Sequence, residues 1–307
     1  MRFGLHISTA SGIARSFQTA KDCGCDCLQL FSGNPTAWRD TPLSEKAIAE
    51  TRTAAAQHGL APLVYHTPYL INLATPKEEF REKSIALLLA ALRKAGQIGV
   101  AMVNTHVGNH MGEGVAAGIE RIVAALNAVA PAIPDGCTLV LENGPGKGTE
   151  IGARIDELIA VIRAAGLGDR LGLCLDTAHL WAAGYDLRQP AVIDDLLAEI
   201  DAGVGLATLR LLHGNDNARR LGGLTDLHRH PGEGEIGLAA FADLYSRPQL
   251  AHLPVIMEMP GDTIEEQARS LSTVKHLLSG QWPATRSEGA PADERPHSPP
   301  AVLATDR

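Results

Sequence analysis

Six short apolar runs in this 307-residue chain each close on a side chain able to ligate a metal: His66 in PLVYHT, His106 in MVNTHV, Glu142 in TLVLEN, Asp176 in LGLCLDT, His213 in LATLRLLHG and Glu258 in PVIMEMP. Core packing alone seldom ends one hydrophobic strand after another in this way. Two further groups extend the series, Asp176-x-x-His179 and Asp226-x-His228, each read as lying in a loop. Residues two apart in an extended chain share a side, so Asp226 and His228 can reach one ion. Imidazole nitrogen with carboxylate oxygen suits zinc, with manganese or iron as alternatives, and the set lacks the thiolates of a structural zinc site. Four ligands fill one zinc, so these nine candidates imply more than one ion. Clustered divalent ions clamp the attacking and leaving oxygens of a phosphodiester and lower the pKa of bound water toward ~7, which points to phosphate-ester hydrolysis.

Singly, each residue has a plainer reading. A strand-end His is more often a hydrogen-bonded barrel residue than a ligand, and Asp226 with His228 could be a solvated loop. The series as a whole does not fit those readings. His6 faces the same way and is either a partner to a ligand or a packing residue. The other histidines default to the surface or to supporting roles.

These side chains must be positioned by the elements that carry them. Short, non-alternating runs rich in Val, Leu and Ile near 2–8, 27–32, 62–67, 102–107, 138–143, 171–177, 206–213 and 254–260 read as strands buried on both faces. Segments with helical spacing follow each one, at 13–23, 44–58, 77–98, 114–130, 152–165, 190–202, 238–246 and 264–278. Eight alternations predict an α/β fold, a single (β/α)8 TIM barrel over residues 1–280, since an open doubly wound sheet would want a Gly-rich first turn that SGI at 11–13 does not supply. Residues 281–307, rich in Pro, Ala and charge, read as a disordered tail. Barrel active sites lie at the C-terminal strand ends, where the candidate ligands sit.

Composition narrows the classes. The net charge of −8 argues against a general nucleic-acid coat, although bound cations would invert the field at an acidic site. No apolar run approaches the ~18 residues of a membrane span, and MRFGLHIST enters a strand pattern without a leader, so the expected location is the cytoplasm. The five cysteines read as free thiols, including the CGCDC cluster at 23–27.

YLINL at 69–73, NTHVGNH at 104–110, LENGPGKG at 141–148, LDTAHLWAAGYDLR at 175–188, LHGND at 212–216 and DLHRHPGEGEIG at 226–237 together resemble endonuclease IV, the apurinic/apyrimidinic endonuclease family within the xylose-isomerase-like barrels. The resemblance spans about residues 2–278. It implies three zinc ions, with manganese as an alternative at one site. His66, His106 and a bridging, catalytically essential Glu142 would hold the first; Glu142, Asp176, His213 and Glu258 the second; and His179, Asp226 and His228 the third. A hydroxide between the first two would attack the phosphate 5′ to an abasic sugar in double-stranded DNA, and 3′-blocking groups would be removed as well.

The resemblance also implies a DNA contact surface. Tyr69 and Leu70 match the family's base-stack wedge, and the loop GNPTAWRD contributes Asn34, Trp38 and Arg39. Arg219 and Arg220 are candidate phosphate contacts, or a solvated loop. Two departures stand out: Thr36, where the family often inserts a longer basic side chain, and Gly214, where it usually has a larger apolar residue. A monomer working on damaged DNA is expected. A metal-dependent sugar isomerase or epimerase of the same barrel group is the alternative, and an inactive damage-binding module a third.

Overall fold

The computed structural model describes residues 1–259 and 263–278. The tail expected over 281–307 lies outside the described residues. Eight parallel strands close a barrel: β1 (Arg2–His6), β2 (Cys27–Phe31), β3 (Leu63–His66), β4 (Met102–His106), β5 (Thr138–Glu142), β6 (Leu171–Asp176), β7 (Leu209–His213) and β10 (Pro254–Met257). β8 (Asp216–Asn217) and β9 (His228–Arg229) form a separate antiparallel pair above it. The order β1-β10-β7-β6-β5-β4-β3-β2 is that of a TIM barrel, as the alternating pattern predicts.

Nine helices cover the barrel among the described residues: α1 (Ile13–Asp22), α2 (Glu45–His58), α3 (Glu78–Ile98), α4 (Val115–Val129), α5 (Ile155–Ala165), α6 (Thr177–Ala183), α7 (Pro190–Val204), α8 (Leu238–Ser246) and α9 (Ile264–Leu278). Several start where the sequence signals a cap. Ser44 Oγ accepts from the Ala47 amide at 3.2 Å, and Thr263 and Glu266 form a reciprocal capping box at 3.0 and 3.3 Å.

Two expectations need correction. The sequence reading leaves 177–183 in a loop, whereas this stretch is α6, with Asp176 as its N-cap accepting from the His179 amide at 3.0 Å. Seven residues are too few to show a helical period, so only the Asp-x-x-His cap spacing marks it. The second concerns apolar length. Val115–Ala132 has the length and mean hydropathy, 1.4, of a membrane span. Its Ala- and Val-rich sequence raises the average, but Gly118, Ile122, Ala125, Leu126 and Val129 make one buried face as α4 packs between α3 and α5.

The barrel interior positions the site by simple parity. Cys27, Val64, Met102, Val140, Cys174, Leu211 and Ile256 form one buried cluster inside the barrel. Side chains two residues further along a strand point to the same side. The next layer is therefore Gln29, His66, Asn104, Glu142, Asp176, His213 and Glu258, with His6 from β1. Gly4, two residues before His6, completes the lower layer without a side chain, because a Cβ there would lie 2.2 Å from the Cys27 carbonyl oxygen. Each of the eight strands thus contributes one polar group to a ring.

Candidate metal centre

The candidate ligands stand at the strand ends as expected, with His66, His106, Glu142, Asp176 and His213 as the last residues of their strands and Glu258 one residue past β10. Parallel register sets His106 beside Glu142 and Asp176 beside His213. Glu142 is central and 1% exposed. Its Oε2 lies 3.3 Å from His66 Nε2 and 3.7 Å from His106 Nε2, while its Oε1 lies 3.1 Å from His213 Nδ1. The two oxygens of one carboxylate therefore face two different histidine groups.

Three clusters converge. His66, His106 and Glu142 bring donor atoms within 4.8 Å of one another, as do Glu142, Asp176, His213 and Glu258, and as do Asp176, His179 and His228. Asp226 adjoins the third, with Oδ2 3.3 Å from His179 Nε2 and Oδ1 2.8 Å from His228 Nε2. The nine candidates thus gather at one site, and six of them, His66, His106, His179, Asp226, His228 and Glu258, line a cavity of about 250 Å³ together with Tyr69. Asp226 and His228 do share a side, as their spacing predicts. The tertiary structure adds Asp176 to their group, with Oδ2 3.7 Å from His228 Nε2.

Hydrogen bonds choose which imidazole nitrogen each histidine offers. His66 Nδ1 bonds the Thr67 carbonyl at 2.7 Å, His179 Nδ1 the Asn143 carbonyl at 2.9 Å and His228 Nδ1 the Glu258 carbonyl at 3.0 Å. A carbonyl only accepts, so these nitrogens carry the proton and Nε2 is left toward the cluster. His213 is reversed: its Nε2 faces Gln29 Oε1 at 3.0 Å and leaves Nδ1 toward Glu142, Asp176 and Glu258. Fixing ligand orientation through the far nitrogen is the usual supporting arrangement at metal centres.

Burial opposes the charge on Glu142, His179 and His228, and neighbours of opposite sign outweigh it. Burial pushes Glu142 up, but His106 and His213 outweigh it and keep the carboxyl well below its ordinary range. Burial pulls His228 down, but Asp176 and Asp226 raise it to about 9. Burial likewise opposes the charge on His179, and Asp176, Asp226 and Glu142 lift it well above the usual imidazole value. Among the described residues no Lys or Arg pairs with Glu142, Asp176 or Glu258, whose polar partners are imidazoles and amides. Buried carboxylates that converge without a fixed cation, facing histidine nitrogens that no carbonyl occupies, fit divalent metal ions. Cys174 also adjoins Glu142 and His213, but burial pushes its thiol up to about 12. All five cysteines are free and buried, as expected.

Four residues of the site escaped the sequence reading. Asn104 hydrogen-bonds Glu142 Oε2, and Gln29 links His213 to Glu258, donating to Glu258 Oε1 at 2.6 Å. Asn215 donates to Asp176 Oδ2 at 2.6 Å and accepts from the Glu258 amide at 2.7 Å, and Asn143 accepts from the Asp176 amide at 2.7 Å. The strand parity above would have found Gln29 and Asn104. His6 proves to be a partner of this network, with Nδ1 2.9 Å from Gln29 Nε2 and 3.4 Å from Glu258 Oε1.

A family model described as "Xylose isomerase-like TIM barrel" matches residues 17–278. The probable endonuclease 4 of Chloroflexus aurantiacus is 37% identical over 281 residues, covering 91% of this chain and 99% of that one. The chain belongs to the endonuclease IV family. Endonuclease IV from Thermus thermophilus superposes with a TM-score of 0.80 at 31% identity, over 91% of this chain and 99% of that one. The barrel by itself does not define the family, because a D-tagatose 3-epimerase-like protein reaches a TM-score of 0.69 at 17% identity, covering 91% of this chain and 97% of that one.

The residues expected to meet DNA surround the mouth of this endonuclease IV barrel. Tyr69 is 62% exposed and stands edge-on to Phe31 and His66, with centroids 5.3 and 5.6 Å away. Leu70 and Trp38 line a neighbouring hollow with Phe80. Asn34 is exposed, and its Oδ1 accepts from the Thr36 amide and hydroxyl at 3.0 and 3.1 Å. Thr36 thus closes a turn on Asn34 where the family often extends a basic side chain. Arg39, Arg219 and Arg220 are exposed and without a carboxylate partner among the described residues.

Gly214 also finds a reason. A Cβ there would sit 2.3 Å from Tyr245 Oη and 2.8 Å from Val255 Cγ1, both buried. In this chain a tyrosine fills the space that a larger residue at 214 would occupy. Gly214→Val is therefore expected to destabilise the fold by about 1–3 kcal/mol, as overpacking does, and Tyr245→Phe to recover part of the loss. Urea denaturation of the three proteins checks this, and an unchanged midpoint for Gly214→Val would refute it.

Proposed function

We propose that this protein is a zinc-dependent apurinic/apyrimidinic endonuclease, hydrolysing the phosphodiester 5′ to abasic sites in double-stranded DNA and removing 3′-blocking groups. The observation that carries the reading is the convergence of nine ligand-type side chains on one site, with His179, Asp226 and His228 completing a third group beside the two built on Glu142. His66, His106 and Glu142 would hold one ion; Glu142, Asp176, His213 and Glu258 a second; His179, Asp226 and His228 a third. When bound, such ions supply Lewis-acid stabilisation of phosphoryl charge and an activated water at neutral pH.

The chain's own part is binding and orientation. Arg39, Arg219 and Arg220, exposed at the mouth, hold flanking phosphates, while Tyr69 and Leu70 enter the base stack where a missing base leaves a gap. The abasic nucleotide then turns out toward the cavity. Thr67, Asn143, Gln29 and Glu258 hold the imidazoles in fixed tautomers, so the donor set is arranged before substrate arrives. The enzyme works as a monomer in the cytoplasm, where its five free thiols remain reduced.

The test is incision of a duplex carrying a single abasic analogue, with zinc content measured on the same preparation. Cleavage 5′ to the lesion with about three zinc per chain is expected. Loaded protein that leaves the duplex intact, or a chain that binds a single ion and isomerises a sugar, would overturn the assignment.

A further inference from the structure

Asp226 and His228 reach the cavity from a long excursion between β7 and α8 whose regular structure is the two-residue pairing of β8 with β9. So short a ladder cannot fix the position of a ligand. The residue next to it does. Asp216 is 0% exposed and accepts five backbone amides: Asn217 at 2.8 Å, Gly232 at 2.9 Å, Gly234 at 3.1 Å, Ile236 at 2.9 Å and Gly237 at 3.3 Å. No Lys or Arg side chain neutralises it among the described residues. Asn217 ties the other end, donating to the carbonyls of Ala178 and Thr225 at 3.1 Å each, one beside His179 and the other beside Asp226. His228 lies opposite Asn217 in the ladder.

We propose that Asp216 is a positioning residue for the third ion site, its carboxylate gathering the segment 228–237 so that Asp226 and His228 stand opposite His179. The inference rests on the metal reading above. A buried amide that loses its acceptor is left unsatisfied, so opening this nest frees the whole segment. The first two clusters sit on barrel strands and do not depend on it. The loss is therefore confined to one ion.

Asp216→Asn keeps the shape and replaces one acceptor oxygen by a donor. Wild-type protein is expected to retain three zinc at low free zinc and Asp216→Asn two, with third-site affinity lowered about 10–100-fold and restored by excess zinc. Gly234→Ala serves if Asp216→Asn does not fold, since its Cβ would lie 2.4 Å from Asp216 Oδ1 and 2.5 Å from the Asn217 carbonyl oxygen. Hydrogen exchange on the metal-free proteins reads the nest without any ion: the amides of 232–237 are expected to exchange at least about tenfold faster in either variant. Three zinc held at wild-type affinity, or unchanged exchange over 232–237, overturns the proposal. Fewer than three zinc on the wild type, with exchange accelerated as expected, overturns the metal reading and leaves Asp216 as the organiser of the loop.

Discussion

Glu142→Gln is expected to lower incision at abasic sites by about a thousandfold or more, the largest effect of any single conservative change in the site. The reason is that its two oxygens do separate jobs. Oε2 faces His66 and His106, and Oε1 faces His213. An amide has the same shape but only one acceptor, so one group loses its donor and both lose a shared negative charge. About 4 kcal/mol of transition-state stabilisation corresponds to a thousandfold in rate. Single-turnover kinetics on an abasic duplex, with zinc measured in parallel, separates lost chemistry from lost metal. Turnover within about tenfold of wild type at unchanged zinc content would contradict the bridging role.

The second large effect is on stability. Chelation is expected to lower the melting temperature by at least about 8 °C at neutral pH. An ion present at a thousandfold over its Kd adds about 4 kcal/mol, and each kcal/mol moves the melting temperature of a domain near this size by about 2–4 °C. The size of the effect depends on pH. In the metal-free protein His228 is held up to about 9 by Asp176 and Asp226 against the opposing influence of burial. A group whose folded pKa is raised contributes fully below its unfolded value of about 6.5, and that contribution is lost as pH climbs through about 9. Ion binding runs the other way, because a ligating imidazole must be neutral. The gap between zinc-loaded and chelated protein should therefore widen from pH 6.5 to 9. Calorimetry across that range checks it, and a constant or shrinking gap would mean that these histidines do not bind metal.

Much of the fold and of the site is legible in the residues themselves. The apolar runs ending in His66, His106, Glu142, Asp176 and His213 already contain the β/α alternation and the candidate ligands, because strand burial and chain period are local properties written in consecutive residues. The pair Asp226 and His228 is legible for the same reason, since two residues apart on an extended chain share a side. α6 is not, as two buried turns have no period to detect, and Val115–Ala132 carries a membrane-like average because averaging ignores which face is buried.

Sequence alone therefore determined the barrel and the chemical types of the candidate ligands at its mouth. Tertiary structure decided how they divide and which atoms they offer. That Asp176 leans toward the third group as well as the second, that His213 turns Nδ1 inward while His66, His179 and His228 turn Nε2, and that Gln29, Asn104 and Asp216 serve the site, all depend on partners far apart in the chain. A hydrogen bond between Gln29 and His213 spans 184 positions, and nothing local in either residue announces it. Ligand types follow from short-range pattern, whereas orientation follows from contacts that exist only once the barrel has closed.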